Sequence, residues 1–295
     1  MNSTGRARFS LLPAVLSVST SSIFVRYAAA PPLGAAFWRS AVAGVALLFA
    51  FLFPAYRREF RAISWGRIGT IALATIIISL HQICFITSLS YTSIAASTFL
   101  TSTQPVWTAL LGGWLIRERV STRSLVAVIG ALAGMGLITF SRPTESALIG
   151  NILAVAAAIL ASLYSLAARK LRQSTPIVSF MIVVNVSSAI FLGILALIFD
   201  VNLTDYSERT WLGLVLLGLV PTLIGHSLLT YAIGHLKAFV VNASILGEPV
   251  GATLLAILFF NEYPTAQTLM GGAVVIVCIL LIVFEREIPA AVEQT

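Results

Sequence analysis

Residues 94–117 form a helix-length apolar segment interrupted near its middle by Pro105, and 144 positions later the pattern returns. At that offset Gln104-Pro105-Val106 falls on Glu248-Pro249-Val250, Glu118 on Glu262 and Phe140 on Phe284. A mid-helix proline has no N–H to donate and its ring crowds the preceding turn. The carbonyls of Thr101 and Ile245, one turn back from each proline, therefore lose their usual donors. An unpaired carbonyl is too costly to leave in hydrocarbon, so each break must face protein, water or ligand. Two related breaks at mid-depth are what binding sites in membrane bundles are built from.

The chain around these breaks is 58% hydrophobic and 10% charged, with a mean hydropathy of +0.98. A soluble domain carries about 25% charged residues, so this is an integral membrane protein. Its apolar runs are continuous over about 20 residues and do not alternate with period two, which selects helices over a barrel. Ten spans are expected, at 9–29, 33–53, 66–89, 94–117, 122–140, 148–169, 176–199, 210–233, 238–260 and 265–284. The net charge of +7 sits in short clusters between spans, where it reports orientation and not a nucleic-acid surface. Arg6 and Arg8 before an apolar stretch ending in Ala28-Ala29-Ala30 imitate a secretory signal. A counterpart of that stretch in the second half, Ser22 and Phe24 falling on Ser162 and Tyr164 at an offset of 140, argues that the segment is kept. Cys84 and Cys278 lie inside apolar runs and read as buried free thiols.

With the N-terminus inside, 14 of the 18 Lys and Arg residues collect on one side of the membrane and 3 on the other, Arg39 remaining within it. Both termini are then cytoplasmic, with tails 1–8 and 285–295, and the inner membrane is the expected location. Five spans is an odd number, so the repeat at 148–284 must enter from the side opposite to the repeat at 9–140. Inverted halves supply two conformations of similar energy that open to opposite faces.

The five-plus-five arrangement, Phe37-Trp38-Arg39 in the second span, the Gln104-Pro105-Val106 and Glu248-Pro249-Val250 breaks, and Glu118 and Glu262 closing the broken spans resemble the EamA-type drug/metabolite transporter superfamily. Within it the chain resembles the YddG-type exporters of aromatic and other amino acids. The resemblance implies an all-α membrane protein of ten helices, in two inverted five-helix repeats around a central cavity, that exports small metabolites by alternating access without nucleotide hydrolysis. No Gly-x-x-x-x-Gly-Lys-[Ser/Thr] loop is present, in agreement.

Candidate cavity residues follow from polar groups at membrane depth. Ser97, Thr101, Gln104 and Thr108 share one helix face, although hydroxyls also bond their own backbone in membrane bundles. Glu248 is the one carboxylate placed at membrane depth, a candidate for cavity lining or coupling, and Arg39 is its natural charge partner unless it caps helix carbonyls. His81, Gln82 and His226 occupy near-matched places in the two halves, where an inward orientation and a simple bond to a backbone carbonyl are equally open. Phe85, Tyr164 and Tyr231 are the aromatics within reach of a substrate ring, with Tyr164 near Asn185. Pro105 and Pro249 are the expected hinges. Trp38, Trp65, Trp114 and Trp211 read as interfacial anchors, and Trp107 as packing or cavity lining. Gly130, Gly134, Gly136, Gly271 and Gly272 mark surfaces where helices can approach, within a monomer first of all.

An intramembrane enzyme is disfavoured: Asp200 and Asp205 share one extramembrane loop, and neither His-Glu-x-x-His nor Gly-x-Ser-x-Gly occurs. No cofactor and no metal is expected, and the expected partners are a small-molecule substrate and the lipid bilayer, with no nucleic acid. Export of other metabolites or drugs, or passive facilitation through a channel, is the alternative function.

Overall fold

Prolines and hydroxyl side chains set where the helices start, bend and stop. The computed structural model describes residues 3–115, 122–141, 144–172, 175–233 and 244–284, and among them the chain is helical with no strand. The first span is made of α1 (Ser3–Ser19) and α2 (Ser21–Ala28), which meet at Thr20. Ser17 donates to the Pro13 carbonyl at 2.7 Å and Thr20 to the Ser17 carbonyl at 2.6 Å, hydroxyl back-bonds of the kind that bend helices. After a left-handed Ala29 (φ 50°) and extended Pro31, α3 (Pro32–Leu48) opens with proline in its first turn, where a missing N–H costs nothing. A short α4 (Pro54–Arg61) leads to α5 (Trp65–Tyr91), at 27 residues long enough to cross a bilayer with tilt.

The first proline break is visible as two helices, α6 (Ile94–Thr101) and α7 (Gln104–Leu115), separated by Ser102 and Thr103. The Ser93 hydroxyl caps α6 by accepting from the Ala96 N–H at 3.1 Å. Next come α8 (Thr122–Thr139), α9 (Glu145–Arg172), α10 (Ile177–Ile198) and α11 (Glu208–Leu217). A π-helical stretch, Gly218–His226, joins α11 to α12 (Ser227–Ile233). The second break lies at Leu246, after which α13 (Gly247–Phe260) and α14 (Ala266–Phe284) complete the described chain.

Six described helices are long and apolar enough to cross a membrane: Phe9–Ala28, Pro32–Leu52, Trp65–Tyr91, Glu145–Ala168, Ile177–Ile198 and Glu208–Ala232. Val126–Thr139, Gly247–Phe260 and Ala266–Leu281 are shorter apolar helices. The expected fourth and ninth spans run into residues 116–121 and 234–243, and Glu118 therefore lies outside the described residues. Large apolar side chains such as Leu16, Val45, Ile194, Leu197 and Leu258 face outward, as a lipid-embedded bundle requires.

Inside, alanines sit where helices cross: Ala14, Ala36, Ala43, Ala131, Ala154, Ala157 and Ala252 have almost no exposed surface. Helices in lipid gain by close van der Waals approach, which small residues permit. The main packing pairs are α5 on α9, α3 on α10 and α8 on α14, while α1 and α2 pack on the α11, π-helical and α12 run. At the α8–α14 crossing a Cβ on Gly134 would come within 2.9 Å of the Gly271 carbonyl, so this small-residue surface is used inside the chain. Gly136, by contrast, faces open space.

Candidate functional site

Pro221 organises the centre of the bundle. Lacking an N–H, it leaves the Leu217 carbonyl without its α-helical donor, and the Thr222 hydroxyl donates there instead at 2.9 Å. The helix is loosened into π geometry over Gly218–His226, a distortion that recurs at functional sites because it re-aims side chains. Here it aims Thr222 and His226 at Arg39 on α3. The Arg39 Nε donates to Thr222 Oγ1 at 2.9 Å, and Nη2 lies 2.7 Å from His226 Nε2. Arg39 is 3% exposed. The two helices can come this close because position 218 is glycine: a Cβ there would sit 2.6 Å from the Val42 side chain.

Arg39 does not touch Glu248. The ion pair found among the described residues is elsewhere, and Glu248 lies within Coulombic range of Arg39 without closing on it. No described residue bonds the Glu248 carboxylate; its backbone carbonyl accepts from Ser19 Oγ at 3.4 Å. His81 also lies in the field of Arg39 and of His226. Its Nδ1 donates to the Ala157 carbonyl at 2.9 Å and its ring lies parallel to Phe85, 3° apart with centroids at 6.3 Å. His81, His226 and Glu248 sit among spanning helices and are only partly buried.

The structure thus brings Arg39, His81, Phe85, His226 and Glu248 into one neighbourhood. It commits the other sequence candidates elsewhere. Gln82 accepts from Ser40 at 3.1 Å, inside a hydroxyl network in which Ser188 meets Ser40 at 3.1 Å and Ser79 at 2.7 Å, tying α3, α5 and α10 together. Thr101 reaches the Ala154 carbonyl at 3.5 Å, and Gln104 donates to Ser165 Oγ at 2.7 Å, so both face α9. Tyr164 packs with Ile71, Phe180, Met181 and Val184 between α5, α9 and α10. Tyr231 lies on α12, one to two turns past His226, half-buried. Trp107 donates to Thr103 Oγ1 at 3.1 Å and packs against the core containing Phe99 and Leu100. Trp38 donates to the Leu203 carbonyl at 2.7 Å and meets Trp211 edge to face, as span-end residues do.

Each proline break is held from the opposite half. Ser162 on α9 donates to the Gln104 carbonyl at 2.8 Å, and Ser19 on α1 donates to the Glu248 carbonyl at 3.4 Å. Each hydroxyl shares its single proton with the carbonyl one turn back on its own helix, Ala158 for Ser162 and Val15 for Ser19, each at 2.8 Å, so Ser162 is bifurcated evenly and the Ser19 contact with the break is the weaker arm. These two serines are 143 positions apart, close to the 144 that separates the two breaks.

A second polar centre lies at one end of the bundle. Arg26 donates to Glu262 at 2.8 Å and to the Leu89 and Thr92 carbonyls at 2.9 and 3.1 Å. Glu262 in turn accepts from the Ile94 N–H at 2.6 Å, at the start of α6, where a carboxylate is favoured by the helix dipole. Left-handed Ala29 and Asn261 end α2 and α13 beside this pair. Thr222, Ser19 and Arg26 escaped the sequence reading, and Ser162 entered it only as the counterpart of Ser22. Pro221 four residues after Leu217 was the available signal for Thr222.

The chain matches the EamA-like transporter family over residues 6–140 and again over 148–284. The uncharacterized transporter YetK of Bacillus subtilis is 28% identical over 228 residues, 73% of this chain and 69% of that protein. The pseudopaline exporter CntI of Pseudomonas aeruginosa is 27% identical over 282 residues, 92% of this chain and 95% of that protein. A solved crystal structure, 19% identical, superposes with a TM-score of 0.66 over 94% of this chain and 96% of that chain, a likeness of fold.

Proposed function

Because the chain belongs to the EamA-like transporter family and is a multi-pass membrane transporter, not an enzyme, we propose that it is a ten-span secondary exporter of amino acids or similar small metabolites. It works by alternating access between two inverted repeats, 9–140 and 148–284, with cytoplasmic termini in the inner membrane.

The observation that carries this reading is the exchange of partners between halves. Ser162 holds the first break and Ser19 the second, each from the first span of the opposite repeat. The packing follows the same exchange: α5 lies on α9, and the α11 to α12 run lies on α1 and α2. Pseudo-symmetric contacts of this kind can be remade with the roles of the halves reversed, which is what alternating access needs. Arg26 and Glu262 then serve as a latch at one mouth. The sequence repeats their pattern as Arg169 and Glu118, at offsets of 143 and 144, with side chains outside the described residues.

Counterflow into liposomes carrying the purified protein tests the proposal, with labelled tryptophan, threonine and a quaternary-amine drug, with and without an imposed pH gradient. Saturable amino-acid counterflow is the expected result. Flux that never saturates would mark a passive channel and remove alternating access. Drug counterflow without amino-acid counterflow would move the substrate to another class in the same family.

A further inference from the structure

The hydrogen bonds at the centre determine which way each ring nitrogen faces. A guanidinium only donates, so the His226 Nε2 that receives Arg39 Nη2 at 2.7 Å is the unprotonated nitrogen, and the proton sits on Nδ1. His226 therefore offers a spare N–H donor. A carbonyl only accepts, so the His81 Nδ1 facing the Ala157 carbonyl at 2.9 Å carries the proton. In the neutral ring, Nε2 of His81 is left as a spare acceptor. The two histidines present opposite polarity.

The charged residues divide in the same way. Arg39 has five N–H donors, and its protein contacts engage Nε and Nη2. Nη1 has no partner among the described residues, yet it is not among the buried polar atoms sealed from solvent. It therefore opens on accessible space from a side chain that is 3% exposed. A buried guanidinium without a contacting carboxylate lacks the counter-charge that repays its desolvation. Glu248 is near enough to feel Arg39 and does not touch it. The centre holds a donor pole of Arg39 and His226, and Glu248 stands off from Arg39 as an acceptor without a partner among the described residues.

We propose that this site, within the exporter reading above, recognises a zwitterion by both ends: the substrate carboxylate on Arg39 Nη1 and His226 Nδ1, and its ammonium on Glu248. A carboxylate completes the guanidinium fork with charge-assisted hydrogen bonds, and an ammonium gives the unpartnered Glu248 its donor. A cargo with only one of the two groups leaves the opposite pole unpaired. Sites built to hydrogen-bond a group reject analogues that lack it far more strongly than apolar pockets reject a missing methylene.

Tryptophan, tryptamine and indole-3-propionate share one ring and differ only in the two charged groups, so they isolate the claim. Binding is read as the rise in thermal stability of the purified protein with ligand concentration, and transport as competition against labelled tryptophan counterflow. Tryptophan should bind at least tenfold more tightly than either fragment. Glu248→Gln should weaken tryptophan at least tenfold while leaving indole-3-propionate within about twofold, so that the preference narrows; the wild-type comparison stands if this variant folds poorly. Equal binding of all three, or no binding of tryptophan, overturns the zwitterion site. Selective binding of tryptophan without counterflow supports the site and overturns the transport reading instead.

Discussion

At the first proline break the Gln104 amide donates to Ser165 at 2.7 Å and the Gln104 carbonyl accepts from Ser162 at 2.8 Å. At the second, the Glu248 carbonyl receives a longer 3.4 Å contact from Ser19, and its carboxylate has no hydrogen-bond partner among the described residues. The backbone problem is the same in both places, a helix whose ladder proline has cut. The side chains diverge. The Gln104 Nε2 fastens α7 to α9, whereas the Glu248 carboxylate lies within Coulombic range of Arg39 without a partner among the described residues. One break is fastened through the Gln104 amide, and the other carries a carboxylate without a partner among the described residues.

The strongest way to break this comparison is to remove the charge at the second break. Glu248→Gln should reduce counterflow at least tenfold, about 1.4 kcal/mol or more, with little change in melting temperature because no protein bond is lost. A large fall in stability with unchanged flux would make Glu248 a structural residue. Next is the latch on Glu262, which closes the second broken span. A double-mutant cycle of Arg26→Ala and Glu262→Ala should show a stability coupling of about 1 kcal/mol, held down by the partial exposure of Arg26. Additive effects in that cycle would mean that the contact is ornamental.

Gln104→Ala should act in the opposite sense to Glu248→Gln, lowering stability by about 1 kcal/mol through the lost Ser165 bond while flux stays within about threefold. The smallest effects belong to the serine clamps. Ser162→Ala should cost about 1 kcal/mol, and Ser19→Ala less, because its contact with the break is 0.6 Å longer by the two distances of 2.8 and 3.4 Å. Equal losses in thermal unfolding would show that the two breaks are held alike.

Much of this was legible in the residues. Continuous apolar runs declare membrane helices because hydrocarbon cannot satisfy a backbone amide, and a proline within such a run declares a break for the same reason. Arg39, His81, His226 and Glu248 stood out because an ionisable group among apolar ones must be accommodated. Gln82, Thr101 and Tyr164 carried a similar signal and are bonded or packed between helices. A polar residue on a helix announces that it needs a partner, not which neighbour supplies one. Thr222 was overlooked because its role depends both on the π-helical turn around Pro221 and on the Arg39 side chain that α3 brings against it.

The sequence alone determined that the chain lives in a membrane and that Pro105 and Pro249 break two of its apolar runs, because these follow from local composition and covalent geometry. The tertiary structure alone decided that Arg39 meets His226 rather than Glu248, and that Ser162 and Ser19 are the side chains that contact the two breaks. Those outcomes depend on the rotation and closeness of helices far apart in the chain. Small residues such as Gly218 and Ala157 set that closeness, and their effect is felt only once the helices are in contact.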